Sequence, residues 1–192
     1  IRPAAMERLG LGYEDCRRAN PDIVYGALVG FGQSGPYAKR PAYDDIIQGV
    51  SGMADMQGGR EGPPQFINAA VCDKICSQVA VHAIIAALFR RLKTGKGQLV
   101  EVPMYESMVG FNLVEHQAGE TFEPPLGPVG YERSMVEYRR PFATTDGYVC
   151  VLPYNTKQWQ SFLVAMGRED LRNDVRVTDP KTRSEIIGEL YE

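Results

Sequence analysis

GFGQSGPYAKRPAYDDI, residues 30–46, is a glycine-rich turn that runs through an aromatic residue into a pair of carboxylates. The segment before it, DIVYGALV (22–29), is apolar and β-branched, which predicts a buried strand over Ile23–Val29. A strand that opens into a glycine-rich loop at its carboxyl end is a common way for α/β proteins to build a site. Further along, NAAVCDKICSQVAVHAI (68–84) sets one acid, Asp73, at the start of an apolar helix.

Working outward, apolar residues recur at Ala69, Val71, Cys72, Ile75, Cys76, Val79, Ala80, Ala83 and Ala87, in steps of three and four. That pattern predicts a mostly buried helix of about 20 residues. KTGKGQ (93–98) ends it with glycine, and Lys93 and Lys96 read as charges at the negative end of the helix dipole. LVEVPM predicts a strand at Leu99–Met104, and YESMVGFNLVEHQA (105–118) resumes helical periodicity. Upstream, AAMERLGLGYEDCRRAN (4–20) reads as two short helices around a glycine break. A further helix is expected from about Asp44 to Met53, then a loop at QGGREGPPQ (57–65). The order strand, helix, helix, strand, helix predicts a three-layer, Rossmann-like α/β domain.

The composition changes at Gly119, where GETFEPPLGPVGYERS (119–134) is rich in proline and glycine. RRPFATTDGYVCVLPY (139–154) predicts two short β segments around an Asp-Gly turn. TKQWQSFLVAMG (156–167) predicts an amphipathic helix anchored by Trp159, Phe162 and Leu163. The expected division is a large domain over 1–123, a linker or active-site loop over 124–140, and the start of a smaller α/β domain over 141–192.

The 192 residues suffice for one domain and part of another. A hydrophobic content of 44% with 23% charged residues fits a globular core and a polar surface. The formal charge of -3 argues against a general attraction to nucleic acid. Cys16, Cys72, Cys76 and Cys150 are too few for a disulfide framework. Cys72 and Cys76 share a helix face and read as small buried thiols. Zinc would need further ligands, with only His82 and His116 as histidines. With the cysteines read this way, a reducing cytoplasmic location is expected; no run reaches membrane-spanning length without charges. IRPAAMERLG lacks an initiator methionine and RSEIIGELYE reads as a helix cut short; an incomplete chain is expected.

Two readings of Asp73 stay open on its sequence context. Unpaired N–H groups and the helix dipole favour an ionised carboxylate, able to attack an acyl carbon. Acids near helix starts are also commonly caps. Gly30, Gly32, Gln33 and Gly35 allow close backbone approach and exposed N–H groups, which suits either a bound chain-like ligand or a simple loop. The turn has no Gly-Lys-Ser/Thr and is not a P-loop, nor does it carry a dinucleotide fingerprint.

The ordered set of motifs resembles the family III CoA-transferases, named after the carnitine and bile-acid enzymes and including formyl-CoA transferase and α-methylacyl-CoA racemase. The resemblance runs from RPAAMERLGLGYEDCRRANPDIVYG (2–26) through DGYV (146–149). Its densest part is NAAVCDKICSQVAVHAIIAALFRRLKTGKGQLVEVPMYESM (68–108). It implies that Asp73 attacks an acyl-CoA thioester and carries first an acyl anhydride, then a CoA thioester, before an acceptor acid reverses the sequence. CoA is then a substrate, with no tightly bound cofactor and no metal, and the fold is that of an interlaced homodimer.

By the same resemblance, Arg8 and Leu9 border the CoA nucleotide, and Tyr43 and Met104 line the site near the thiol end. Arg139 and Arg140 are candidates to face an acidic acceptor. The racemases place a basic histidine where Tyr43 stands, and a phenol is a poor proton shuttle at neutral pH. Racemase-like chemistry is therefore the disfavoured alternative, beside a non-catalytic acyl-CoA-binding protein. One departure is the glycine tract that some members close over the intermediate: here PPLGPVGYERSMVEYRRP (124–141) has only Gly127 and Gly130.

Overall fold

The computed structural model describes residues 1–60 and 62–191, in two compact units, Ile1–Tyr131 and Glu132–Glu192. In the first unit, α1 (Pro3–Arg8) and α2 (Tyr13–Ala19) are parted at Gly10, which holds φ +69°. Strand β1 (Val24–Val29) leads through the 30–43 loop to α3 (Asp44–Val50) and α4 (Met53–Gly58). The long α5 (Val71–Thr94), β2 (Gln98–Pro103) and α6 (Met104–His116) follow. Glu61, in the expected 57–65 loop, lies outside the described residues.

β1 and β2 pair in parallel, from Val24 opposite Gln98 to Val29 opposite Pro103. Parallel neighbours need a crossover, and α5 supplies it. It lies on the sheet through Ala80, Ala83, Ile84 and Ala87, against Val24, Val100 and Val102. Small residues on both sides make the approach close: a Cβ added at Gly26 would sit 2.9 Å from Ile84 Cδ1. Gly95, at φ +69°, ends α5 by donating its N–H to the Arg91 carbonyl at 2.8 Å. Gly97 then brings the chain back beside β1, where a Cβ would meet the Ile23 carbonyl oxygen at 2.1 Å. Elsewhere the Tyr25 hydroxyl donates to the Leu11 carbonyl at 2.8 Å, which ties β1 to the α1–α2 segment.

Two helical expectations are corrected. The single helix expected over Asp44–Met53 is two, because Gly52 adopts φ +82° and breaks the hydrogen-bond ladder. The expected mostly buried helix is buried only at Cys72, Cys76, Ala80 and Ala87. Val81, Ile85, Phe89 and Leu92 are exposed, since a two-stranded sheet covers only one stripe of a helix. By length and composition α5 could cross a membrane. Here Asp73 and Lys74 precede its apolar stretch, Arg90 and Arg91 follow it, and its alanine stripe packs on the sheet.

After α6 the chain folds back on that helix's own end. Gly130 donates its N–H to the His116 carbonyl at 2.8 Å, and Leu126 donates to Gly119 at 3.1 Å.

The second unit contains α7 (Glu132–Met135), the antiparallel pair β3 (Phe142–Ala143) and β4 (Tyr148–Val149), α8 (Thr156–Ala165), α9 (Val175–Thr178) and α10 (Pro180–Glu185). The Asp-Gly turn is present, closed by a Thr144 N–H to Gly147 carbonyl bond of 2.9 Å. Asn155 caps α8 reciprocally with Gln158. Trp159, Leu163 and Val177 form the core. Buried Arg183 donates to the Thr156 hydroxyl at 3.0 Å and to the Val177 carbonyl.

Candidate active site

Asp73 is exposed and stands in the first turn of α5, between buried Cys72 and the outward Lys74. The helix has no side-chain cap of its own, because Ala70 precedes it. Asp44, at the start of α3, takes over that role: its Oδ1 accepts the Asp73 N–H at 2.9 Å. The carboxylate of Asp73 is thereby left out of capping its own helix.

Asp44 is held in turn by a buried amide. Gln48, one turn further along α3, is fully buried and donates to Asp44 Oδ2 at 2.7 Å. The same side chain accepts the Ile67 N–H at 2.8 Å and reaches the carbonyls of Ile67 and Ala69 at 3.3 Å. Gln48 therefore fixes the lead-in to α5 as well as the acid that caps it. A buried amide with all its groups matched is a rigid fixture.

Behind this first turn lies a core of Phe31, Ile47, Met53, Cys72, Cys76 and Met108. Burial, then the nearby Asp44 charge, pushes the Cys72 thiol up to about 12. Burial, then Asp73, also raises the Cys76 thiol, which donates to the Met104 carbonyl at 3.7 Å. Both sulfurs are therefore neutral packing groups at neutral pH and do not compete with Asp73 as nucleophiles.

The glycine turn meets the same core through Phe31, whose ring packs against Tyr37 and Tyr105. A Cβ at Gly30 would meet that of Ala42 at 2.0 Å, so only glycine fits where the two ends of the loop touch. The expected exposed N–H groups of this turn are corrected at two positions. Gly32 donates its N–H to Glu106 Oε1 at 2.9 Å, and Gln33 donates to Glu101 Oε1 at 3.0 Å. These two amides, and that of Gly35, which donates to the Gly32 carbonyl at 3.1 Å, are satisfied from within the protein.

Tyr43 is 74% exposed and immediately precedes Asp44. Met104 is partly buried against the Phe31–Cys72 core. The structure thus brings Met104 and, through Phe31, the glycine turn to the core behind Asp73, and sets Tyr43 next to the Asp44 that accepts the Asp73 N–H. Arg8 and Leu9 are exposed at the end of α1, whose Met6 and Glu7 line a cavity of about 480 Å³ shared with Gln33 and Glu101. Arg139 and Arg140 belong to the second unit, where Arg139 lines a cavity of about 570 Å³ with Tyr154, Trp159 and Arg183. Among the described residues no cluster of three or more His, Cys, Asp or Glu is arranged to hold a metal ion.

Sequence reasoning missed Asp44, Gln48, Glu101 and Glu106. Asp44 and Gln48 stand four apart, a spacing that puts a donor and an acceptor on one helix face. The two glutamates gave no local signal, because their partners lie far away in the chain.

An exposed carboxylate at a helix start, backed by a dry core and flanked by a tight glycine turn, suits nucleophilic attack on an acyl carbon. The family model of CoA-transferase family III matches residues 1–192. The chain is 34% identical over 200 aligned positions to the probable fatty acyl-CoA transferase Rv3272 of Mycobacterium tuberculosis, covering 99% of this chain and 51% of that protein. It is 40% identical over 112 positions to the acetyl-CoA:oxalate CoA-transferase of Acetobacter aceti, covering 58% of this chain and 29% of that protein. The crystal structure of a CAIB/BAIF family protein from Brucella suis superposes with a TM-score of 0.79 at 28% identity, over 100% of this chain and 50% of that one. The chain therefore spans about half the length of that solved protein and of the mycobacterial relative. With its whole described length matched by that family model, the chain belongs to CoA-transferase family III.

Proposed function

We propose that the protein transfers CoA from an acyl-CoA to a free carboxylic acid, with Asp73 as the covalent carrier. The observation that carries this reading is the exposed Asp73 carboxylate, relieved of helix capping by Asp44, in a chain of this family. An Asp73 oxygen attacks the thioester carbon; the C–S bond breaks and CoA leaves as thiolate. The thiolate attacks the aspartyl carbon of the mixed anhydride, and the donor acid leaves as its carboxylate. The acceptor carboxylate then attacks the aspartyl carbon of the aspartyl–CoA thioester and the C–S bond breaks; the thiolate set free attacks the acceptor's acyl carbon in the new mixed anhydride, and the Asp73 carboxylate leaves as acyl-CoA forms. One negative charge moves through every step and no proton changes hands, so the mechanism asks nothing of Tyr43 as a base.

The names of the two relatives, one a fatty acyl-CoA and one an oxalate enzyme, support a carboxylic acid as acceptor without choosing its chain. Arg139 and Arg140 are proposed to face it, and Arg8, Leu9 and Met104 to contact CoA. The described cysteines are all free thiols, in keeping with a reducing cytoplasmic setting. A homodimer, with 124–140 acting as linker and active-site loop, completes the proposal; light scattering of the full-length protein checks it.

The deciding experiment incubates the full-length protein with acyl-CoA and no acceptor, followed by peptide mass analysis. The expected result is an adduct of CoA mass on the peptide holding Asp73, absent from Asp73→Ala. An adduct elsewhere, or near-normal turnover in that variant, rejects the assignment. Solvent deuterium entering the α-position of a 2-methylacyl-CoA, and lost in Tyr43→Phe, would instead establish racemase chemistry.

A further inference from the structure

Two glutamates outside the residues so far given a role clamp the glycine turn. Glu101 lies on β2 and Glu106 in the first turn of α6, yet both reach back to the loop that leaves β1. Glu106 Oε1 accepts the Gly32 N–H at 2.9 Å, and Glu101 Oε1 accepts the Gln33 N–H at 3.0 Å. Between them the Tyr105 N–H donates to the Gly30 carbonyl at 3.0 Å. A Cβ at Gly32 would lie 2.5 Å from Glu106 Oε1, so the carboxylate occupies the place of a side chain. Each carboxylate oxygen accepts a backbone N–H, a bond that a glutamine amide oxygen can also make.

The far end of the same loop is fastened in the same manner. Asp44 closes it and accepts the Asp73 N–H at 2.9 Å. The loop is therefore stretched between two carboxylate–amide clamps, with Phe31 set in the core that buries Cys72. A shift of Gly32 and Gln33 is passed along this loop to Tyr43 and Asp44, and so to the first turn that carries Asp73.

We propose that Glu101 and Glu106 are positioning residues, which hold the Gly30–Asp44 loop in the conformation that aligns an acyl-CoA with Asp73. This inference rests on the transferase reading. Neither glutamate exchanges atoms with substrate; their work is to fill two amides that would otherwise take water and let the turn relax. Because Gly32 is only partly buried and Gln33 is exposed, water can replace each lost acceptor. The consequence falls on alignment more than on folding, and a misplacement of about 1 Å can lower a rate by about 100-fold.

The test uses the full-length protein with the parent, Glu106→Ala, Glu106→Gln, Glu101→Ala and Glu101→Gln. Four quantities are read: kcat and KM for transfer, the rate at which the CoA adduct forms on Asp73 without acceptor, and Tm. Expected are a fall of about 10- to 100-fold in kcat and in adduct rate for Glu106→Ala, a smaller fall for Glu101→Ala, and little change in Tm. The glutamine variants keep an oxygen at Oε1 and are expected within about threefold of the parent. An adduct rate in both alanine variants equal to the parent's overturns the proposal. So does a loss in the alanine variants that glutamine fails to restore, since that would assign the effect to charge. A parent protein that forms no Asp73 adduct rejects the transferase reading itself, a result distinct from either.

Discussion

The two ends of α5 are built to different standards. Its first turn is enclosed: Cys72 and Cys76 are buried among Phe31, Ile47, Met53 and Met108, and the backbone ahead of it is fixed by Gln48. Its later turns touch the sheet along an alanine stripe and leave Ile85, Phe89 and Leu92 exposed. The same helix is a rigid mount at one end and a half-covered strut at the other. The difference follows from what surrounds each part. Residues of α3, α4 and α6 (Ile47, Met53 and Met108) share the core of the first turn, while the alanine stripe further along lies on the two strands. Precision is concentrated where Asp73 stands.

Substitutions can break or sharpen that contrast. The largest effect is expected from Asp73→Ala, which should lower transfer by the full-length protein at least about 1,000-fold by deleting the covalent route. Its Tm should move by only a few degrees, because Asp44 rather than Asp73 caps the helix. Phe31→Ala should cost about 3–5 kcal/mol in denaturant unfolding, as the loss of a buried aromatic ring does. Gln48→Ala should cost about 2–3 kcal/mol, since it leaves the Ile67 N–H and the Asp44 carboxylate short of a partner. Phe89→Ala, on the half-covered stretch, should cost less than about 1 kcal/mol. A cost at Phe89 matching that at Phe31 would show that the two ends are equally supported.

A further effect, confined to high pH, concerns the Cys72 thiol. Cys72 stays protonated in the folded protein up to about 12, whereas the unfolded chain releases that proton near 9. The folded state holds more protons between those values, so its stability falls as pH rises through that window. Cys72→Ala should flatten the fall between pH 9 and 12. Iodoacetamide at neutral pH should label exposed Cys150 and spare Cys72 and Cys76 until the protein unfolds.

Much of the frame was legible from local pattern. The β1 segment VYGALV, the glycine stop at Gly95 and the Asp-Gly turn each carry their signal within a few residues. The depth of α5 was not legible, because its apolar residues lie nearly all round it and periodicity alone does not say how wide its covering is. The break at Gly52 was masked by apolar neighbours that continue a helical pattern on both sides. Asp73 was visible as a lone acid ahead of an apolar run. The groups that position it were hidden: the acceptor of its N–H comes from another helix, and the acceptors of the Gly32 and Gln33 amides come from β2 and α6.

The parallel register of Val24–Val29 with Gln98–Pro103 also governs how this polypeptide is born. Strand β1 is made before α5, and its partner β2 only after it. At about 5–20 residues per second, the uncharged VYGALV segment waits several seconds with the edge that will meet β2 unpaired. Such a segment is prone to pair with its like on another nascent chain. Yield during expression should therefore depend on synthesis speed between the two strands. Slow codons placed across Val71–Thr94 should lower the soluble fraction, while the same codons after Pro103 should leave it unchanged.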